Sequence, residues 1–191
     1  MKRLIALIVG LLVLITGCSG GKKTSGDNIA AIQEYTSVYS GEITTLNYLV
    51  TSTTSEFAIA ANLVDTLIDY DRYGVVQPGL ATDWYLSEDG LVWTFKLREG
   101  VQWVTYDGKE YAEVTAQDFV DAMEYILDPN NESMTANIAY GVLKNAEAYY
   151  NGEISDFNEV GVKAVDKCTL EYTLERPTPY FLSMLTYVCF F

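Results

Sequence analysis

Alternating apolar and polar residues in the segment LVWTFKL, residues 91–97, limit the fold more than any other feature of the chain. Successive side chains of an extended chain point to opposite faces, so this period of two predicts a β-strand with one buried and one solvated face. The buried face is predicted to carry Trp93, Phe95 and Leu97. Asp89-Gly90 before the strand is a hairpin-turn dipeptide, and Gly100 is expected to end the strand. The fold should therefore contain a sheet that is covered on one side.

The segment CTLEYTLE, residues 168–175, alternates in the same way and predicts a second half-buried strand. Its inward residues are expected to be Leu170, Tyr172 and Leu174, and its outward residues Thr169, Glu171, Thr173 and Glu175.

The clearest helix is predicted for TAQDFVDAMEYILDP, residues 115–129. Thr115 and Asp118 have the spacing of a capping box, and Asp128-Pro129 stops the helix. Its apolar side chains recur at helical spacing and are Phe119, Ala122, Met123, Ile126 and Leu127.

Weaker patterns predict a strand that leaves into a loop within residues 41–54 and three more helices. The first helix would be capped by Ser55 and keep one apolar face as far as Ile68. The second would span Tyr140 to Tyr150, and the third would open at Thr178-Pro179 and run to about Tyr187. Strands and helices intermix without a strict βαβ rhythm, which indicates an α/β fold of the mixed α+β kind.

Composition excludes several classes of function. The net charge of −14 argues against nucleic acid as a partner, because neutralising phosphates needs clustered Lys and Arg. The absence of histidine removes Ser-His-Asp and Cys-His catalysis. The cysteines, Cys18, Cys168 and Cys189, lack C-x-x-C spacing, so we expect no zinc site and no cofactor.

We expect Cys168 and Cys189 to be free thiols, with a disulfide between them as the alternative. A carboxylate pair for glycoside hydrolysis is conceivable, but no pair is singled out, and we expect no enzyme.

The N-terminus reads as a lipoprotein leader. Lys2 and Arg3 precede residues 4–15, which are apolar or glycine and would form a helix roughly 18 Å long, shorter than the roughly 30 Å bilayer core. Ile15-Thr16-Gly17-Cys18 resembles the bacterial lipobox, which implies lipidation of Cys18 and cleavage before it. We therefore expect a signal peptide over residues 1–17, a lipidated cysteine and flexible tether over 18–34, and a folded domain over 35–191.

The segment LATDWYLSEDGLVWTFKLREGVQW, residues 80–103, resembles the oligopeptide- and dipeptide-binding proteins of peptide ABC transporters, the bacterial extracellular solute-binding family 5. LVDTLIDYD, VTAQDFVDAMEYILDP, NAEAYYNGE and VGVKAVDKCTLEYTLERPTPYF match the same family in order, so the resemblance covers residues 39–191. Residues 104–108 depart from the family and predict a longer hairpin. Family members are much longer than this chain, so we expect an N-terminal fragment.

The resemblance implies part of the first lobe of a two-lobed periplasmic-binding-protein-like fold. It also implies an oligopeptide ligand, ABC permease and ATPase partners, and a membrane anchor at Cys18 on the extracytoplasmic face. A Gram-positive surface is expected, or the periplasmic side in a Gram-negative cell. The residues that match the cleft-lining stretch are Tyr39, Ser40, Gly41 and Glu42. A nickel complex, haem or a sugar as ligand, and a peptide-sensing role, stay open as alternatives.

Overall fold

The computed structural model describes Thr36, Val38 and residues 41–190, and the chain forms two units, residues 1–38 and 39–191. The predicted leader, Cys18 and tether lie outside the described residues, as do Tyr39 and Ser40 of the predicted cleft-lining stretch.

The second unit mixes short helices with antiparallel strands, as the sequence predicts. Its helices are α1 (Thr54–Ala60), α2 (Ala116–Leu127), α3 (Ala136–Tyr140), α4 (Ala146–Tyr150) and α5 (Phe181–Met184). Its strands are β1 (Ile68–Tyr70), β2 (Val76–Pro78), β3 (Ala81–Leu86), β4 (Val92–Leu97), β5 (Gln102–Val104), β6 (Glu110–Glu113), β7 (Val162–Asp166) and β8 (Thr169–Thr173). Three 3₁₀ turns cover Pro129–Asn131, Phe157–Glu159 and Val188–Phe190.

A four-stranded antiparallel sheet of order β3-β4-β8-β7 forms the centre of the fold. Trp93 of β4 pairs with Tyr172 of β8, so the inward residues of the two predicted strands share one face. That face is buried, as predicted from the alternation of both segments. Thr169 is the exception, because it was expected to face solvent and is buried, where its hydroxyl accepts a 2.7 Å hydrogen bond from Lys96 Nζ.

Aromatic rings fill the space above this face. Their centroids lie 5.6 to 6.2 Å apart, mostly in edge-to-face or tilted arrangements that aromatic pairs favour. The rings belong to Trp93, Phe95, Tyr172, Phe181 and Phe190. Burial raises the pKa of Tyr172, which therefore stays protonated. The C-terminal segment of the described chain is thus packed into the core.

Helix α2 begins and ends where its sequence predicts. The backbone N–H of Thr115 donates to Asp118 Oδ2 at 2.7 Å, which completes the predicted capping box. Most of its apolar stripe is buried against β7, β8 and the last 3₁₀ turn, although Ala122 is only half-buried. The helix therefore forms one wall of the core.

Four predicted elements are wrong in extent or absent, and in the first two helices backbone pairing with distant residues prevails over local pattern. Helix α1 ends at Ala60, and Ile68 lies in a strand, because Thr66 and Leu67 accept backbone hydrogen bonds from residues 79–81. The cap position of α1 is Thr53 and not Ser55. The segment 41–53 contains no strand.

The helix predicted from Tyr140 to Tyr150 is two helices, α3 and α4. Between them, Lys144 donates its N–H to Thr173 O and accepts from Gly161 N, which draws the chain onto the sheet. The last predicted helix is shorter than expected, since α5 is capped at Tyr180 and ends at Met184.

Cys168 and Cys189 are free thiols, as expected. Burial raises the pKa of the Cys189 thiol to about 12. Among the described residues, no helix has the length and apolar character needed to cross a bilayer. The same part of the chain holds no cluster of three or more His, Cys, Asp or Glu side chains suited to a metal ion.

Candidate functional site

A buried carboxylate holds the N-terminal segment of the folded unit in place. Glu56, on helix α1, has only 4% of its surface exposed. Its Oε1 accepts hydrogen bonds from Thr44 N at 2.9 Å, Thr44 Oγ1 at 2.7 Å and Thr45 N at 3.2 Å, and its Oε2 accepts one from the Thr51 hydroxyl. One side chain therefore anchors both ends of the segment from Thr44 to Thr51.

These donors also set the ionisation of Glu56. The Thr51 hydroxyl and the Thr44 hydroxyl and N–H favour the charged form and lower its pKa from 4.5 to about 2. All four donors are neutral, so hydrogen bonds to the charged form, without a counter-ion, hold the pKa of Glu56 this low. Sequence reasoning missed this residue, although an acidic side chain in the first turn after a run of threonines was a usable signal.

The same segment is attached to the rest of the fold at two further places. Asn47 Nδ2 donates to the Tyr125 hydroxyl of helix α2 at 3.1 Å. Ser133 Oγ donates to Leu49 O at 2.5 Å, and Met134 N donates to the neighbouring carbonyl of residue 50 at 3.1 Å. The segment is a coil without strand pairing, yet its course is set by side chains.

The predicted cleft-lining residues Gly41 and Glu42 come directly before this anchored segment, and both are exposed. They therefore have free surface for a ligand, beside a backbone that the Glu56 contacts hold in position. Whether they contact a ligand stays a prediction.

An open groove lies where the anchored segment meets helix α2 and the β5–β6 hairpin. Its volume is about 400 Å³, which falls within the range of small-molecule sites. The apolar part of its lining is made by Leu49, Leu63, Val64, Leu80, Val101, Val104, Val114, Phe119 and Ala122. Its polar and aromatic part is made by Tyr48, Asp65, Gln102, Trp103, Asp118, Asp121 and Tyr125.

One wall of the groove is the β5–β6 hairpin, whose turn lies where the sequence predicts a hairpin, at residues 104–108. Thr105 N donates to Lys109 O at 2.9 Å, and Lys109 Nζ lies 2.7 Å from Asp107 Oδ2 at the turn. Trp103 on β5 donates its Nε1–H to Asp118 Oδ1 at 3.3 Å. The capping residue of α2 therefore also links the hairpin to the helix.

A second pocket is lined by Glu99, Glu113, Asp166, Lys167 and Cys168. Lys167 Nζ lies 2.7 Å from Glu113 Oε2, and this hydrogen bond lowers the pKa of Glu113 and raises that of Lys167. The ion pair accounts for these two charges, and we assign the pocket no ligand.

Known proteins resemble this chain in sequence and in structure. Residues 75–191 match the family described as bacterial extracellular solute-binding proteins, family 5 Middle. The oligopeptide-binding protein AmiA of Streptococcus pneumoniae is 41% identical over an alignment of 193 residues, covering 99% of this chain and 28% of AmiA. The oligopeptide-binding protein AliB of the same species is 41% identical over 180 residues, covering 94% of this chain and 26% of AliB.

The structure of Listeria monocytogenes OppA bound to peptide matches with a TM-score of 0.72 and 28% identity, over 80% of this chain and 29% of that protein. An oligopeptide-binding protein of Borrelia burgdorferi matches with a TM-score of 0.69 and 37% identity, over 76% of this chain and 28% of that protein.

The chain spans a little more than a quarter of the length of these relatives. Its mixed helices and strands form part of the two-lobed fold that the matched structures have in full. The family match covers residues 75–191, more than half of the chain, and confirms the resemblance seen in the sequence. The chain belongs to the bacterial extracellular solute-binding proteins of family 5.

Proposed function

We propose that this chain belongs to the substrate-binding component of an ABC transporter, which captures extracellular oligopeptides and delivers them to a membrane permease. The observation that carries the proposal is the 41% identity with AmiA, an oligopeptide-binding protein, over 99% of the chain. The likeness to OppA bound to peptide supports the same ligand class. The role proposed for this chain is to bind and release the peptide, not to catalyse a reaction.

The expected mechanism is a clamp. An extended peptide would lie between two lobes that close by a hinge, and main-chain hydrogen bonds would hold it with little sequence preference. Tyr39, Ser40, Gly41 and Glu42 are the residues that we propose for contact with the peptide from this side. The Glu56 contacts would keep the adjoining backbone ready for ligand and so lower the ordering cost of binding.

The proposed setting is the extracytoplasmic face of the cell membrane. A signal peptide over residues 1–17 would be removed, and the lipid on Cys18 would hold the protein through a tether that ends near residue 34. Multiple acyl chains give a stable anchor where one chain does not. The folded domain would thereby stay close to the permease and ATPase subunits.

A chimera tests this function directly. Residues 39–191 would replace the aligned part of AmiA in a strain that lacks its own oligopeptide-binding proteins, and uptake of a labelled oligopeptide would be measured. We expect uptake to be restored, and native mass spectrometry of the purified chimera should show bound peptide. A folded, membrane-bound chimera without uptake, or one that carries haem, nickel or sugar in place of peptide, would contradict the proposal.

A further inference from the structure

The groove between the anchored segment and the β5–β6 hairpin combines two kinds of surface. Its floor is apolar, and two of its apolar side chains are largely exposed, Leu63 at 66% and Val104 at 62%. The apolar part of the lining offers contact surface suited to the aliphatic stem of a long side chain.

The charged groups of the groove all have one sign. Asp65, Asp118 and Asp121 line it, and its lining contains neither Lys nor Arg. Asp118 is occupied by Thr115 and Trp103, whereas Asp121 Oδ1 accepts one bond, from Gln117 Nε2 at 2.7 Å. A carboxylate has about four acceptor positions, so Asp121 keeps capacity for a ligand donor. Asp65 is exposed at the edge of the groove.

We propose that this groove binds an arginine side chain of a peptide ligand. The aliphatic stem would lie on the apolar floor while the guanidinium reaches Asp65 or Asp121, as long cationic side chains do at amphipathic surfaces. A guanidinium pairs with carboxylates and stacks on aromatic faces better than an ammonium does, and the lining contains the aromatic residues Trp103 and Tyr125.

This inference rests on the proposed function, because it takes the ligand to be a peptide. The position of the groove supports that link. Tyr48 and Leu49 belong to the segment that Glu56 anchors, and Gly41 and Glu42, the proposed peptide contacts, lie a few residues before them. We take the peptide to run along this segment from Gly41 and Glu42 to the groove.

The experiment uses the indole N–H signals of the three tryptophans in the ¹⁵N-labelled chain. Trp103 is assigned with Trp103→Phe, and Trp84 and Trp93, which lie outside the groove lining, serve as internal references. The probes are N-acetyl-argininamide and its citrulline analogue, which has nearly the same shape without the charge. We expect the Trp103 signal to move with the arginine probe and to move much less with the citrulline probe.

A double variant and a control variant test whether Asp65 and Asp121 bind the guanidinium. Asp65→Asn with Asp121→Asn should weaken arginine binding roughly two- to fivefold per charge removed, and added salt should weaken it as well. Asp83→Asn, an exposed aspartate of β3 outside the groove, is the matched control and should leave binding unchanged. Far-UV circular dichroism checks that each variant is folded.

Equal shifts with arginine and citrulline, or no shift at Trp103, would overturn the inference. Restored peptide uptake by the AmiA chimera together with either of those results would leave the proposed function standing and remove only the arginine site. Arginine-dependent shifts that survive the double Asp variant would also overturn it, because the cation would then bind elsewhere.

Discussion

The carboxylate of Glu56 accepts the backbone N–H of Thr44 at 2.9 Å across twelve residues of chain. This contact joins the first helix of the fold to the coil that precedes it. Together with the bonds from Thr45 and Thr51, it gives an irregular segment a defined course.

Replacing Glu56 with Gln should loosen that segment. The amide keeps the shape of the carboxylate but loses the charge that strengthens its hydrogen bonds. Its NH₂ group is also a donor, and it would face the N–H and O–H donors of Thr44, Thr45 or Thr51. We expect backbone hydrogen exchange at residues 44 and 45 to accelerate roughly tenfold or more, with the central sheet much less affected. Glu153→Gln, at an exposed position, is the control and should change neither. Unchanged exchange at 44 and 45 would show that Glu56 is not the anchor.

Acid should remove the contribution of the Glu56 carboxylate to stability. The pKa of Glu56 is lowered in the folded chain from 4.5 to about 2, so the carboxylate stabilises the fold fully above about pH 4.5 and loses this effect as the pH falls toward 2. The difference in unfolding free energy between the wild type and Glu56→Gln should shrink over that interval. Urea titrations at several pH values measure it, and a difference that grows with acidification would have the wrong sign.

Gly161→Ala should be strongly destabilising. A Cβ at this position would lie 2.1 Å from Thr173 O and 2.9 Å from Lys144 N, both backbone atoms that cannot swing away. Forcing them apart would break the bonds that draw the α3–α4 connection onto the sheet, at a cost of about 2 to 3 kcal/mol. Gly41→Ala meets nothing within 4 Å and is the matched control. Chemical denaturation of both variants gives the comparison.

Thr115→Ala should cost about 1 kcal/mol of unfolding free energy through loss of the helix cap. The remaining partner, Asp118, would keep its bond to the backbone N–H of residue 115, so the loss is partial. Gln117→Ala in the same turn, at an exposed position, should be nearly neutral. Equal effects of the two substitutions would mean that the cap contributes nothing specific.

The two described thiols should differ in reactivity. Cys189 is buried and its pKa is raised to about 12, so little thiolate is available for a disulfide-forming reagent, whereas Cys168 is only half-buried. Thiol titration of the native chain should modify Cys168 first and Cys189 only on unfolding. Equal rates, or an intact mass that rises on reduction, would contradict free thiols in these positions.

Cys18→Ala tests the proposed anchor. The variant should be released from the membrane fraction while its far-UV circular dichroism stays that of the wild type, because Cys18 lies outside residues 39–191. Ser19→Ala is the neighbouring control and should remain with the membrane. Unchanged fractionation of Cys18→Ala would rule out lipid at this residue.

Local pattern was sufficient for strands β4 and β8 and for helix α2. The sequences of β4 and β8 alternate, with Thr169 the exception in burial, and Thr115 with Asp118 marks the helix start, so each element could be predicted from a few neighbouring residues. The errors lie where the chain bonds to distant backbone. Residue 144 pairs with 161 and 173, and nothing in its own neighbourhood indicates this.

The candidate site was less predictable for the same reason. The donors to Glu56 come from three positions that meet only once the coil has turned back on helix α1. The groove likewise takes its lining from five separate stretches of chain, residues 48–49, 63–65, 80, 101–104 and 114–125. Gly41 and Glu42 could be nominated only from the family resemblance.

The bonds to Glu56 have a mechanical consequence. Residues 44 to 51 are fastened at both ends to one rigid turn of helix, so a rotation of α1 would carry the coil with it as a single piece. Because every donor is neutral, ionic strength would hardly alter this coupling. A lobe that closes on a ligand could thus pass its movement to this coil through one carboxylate.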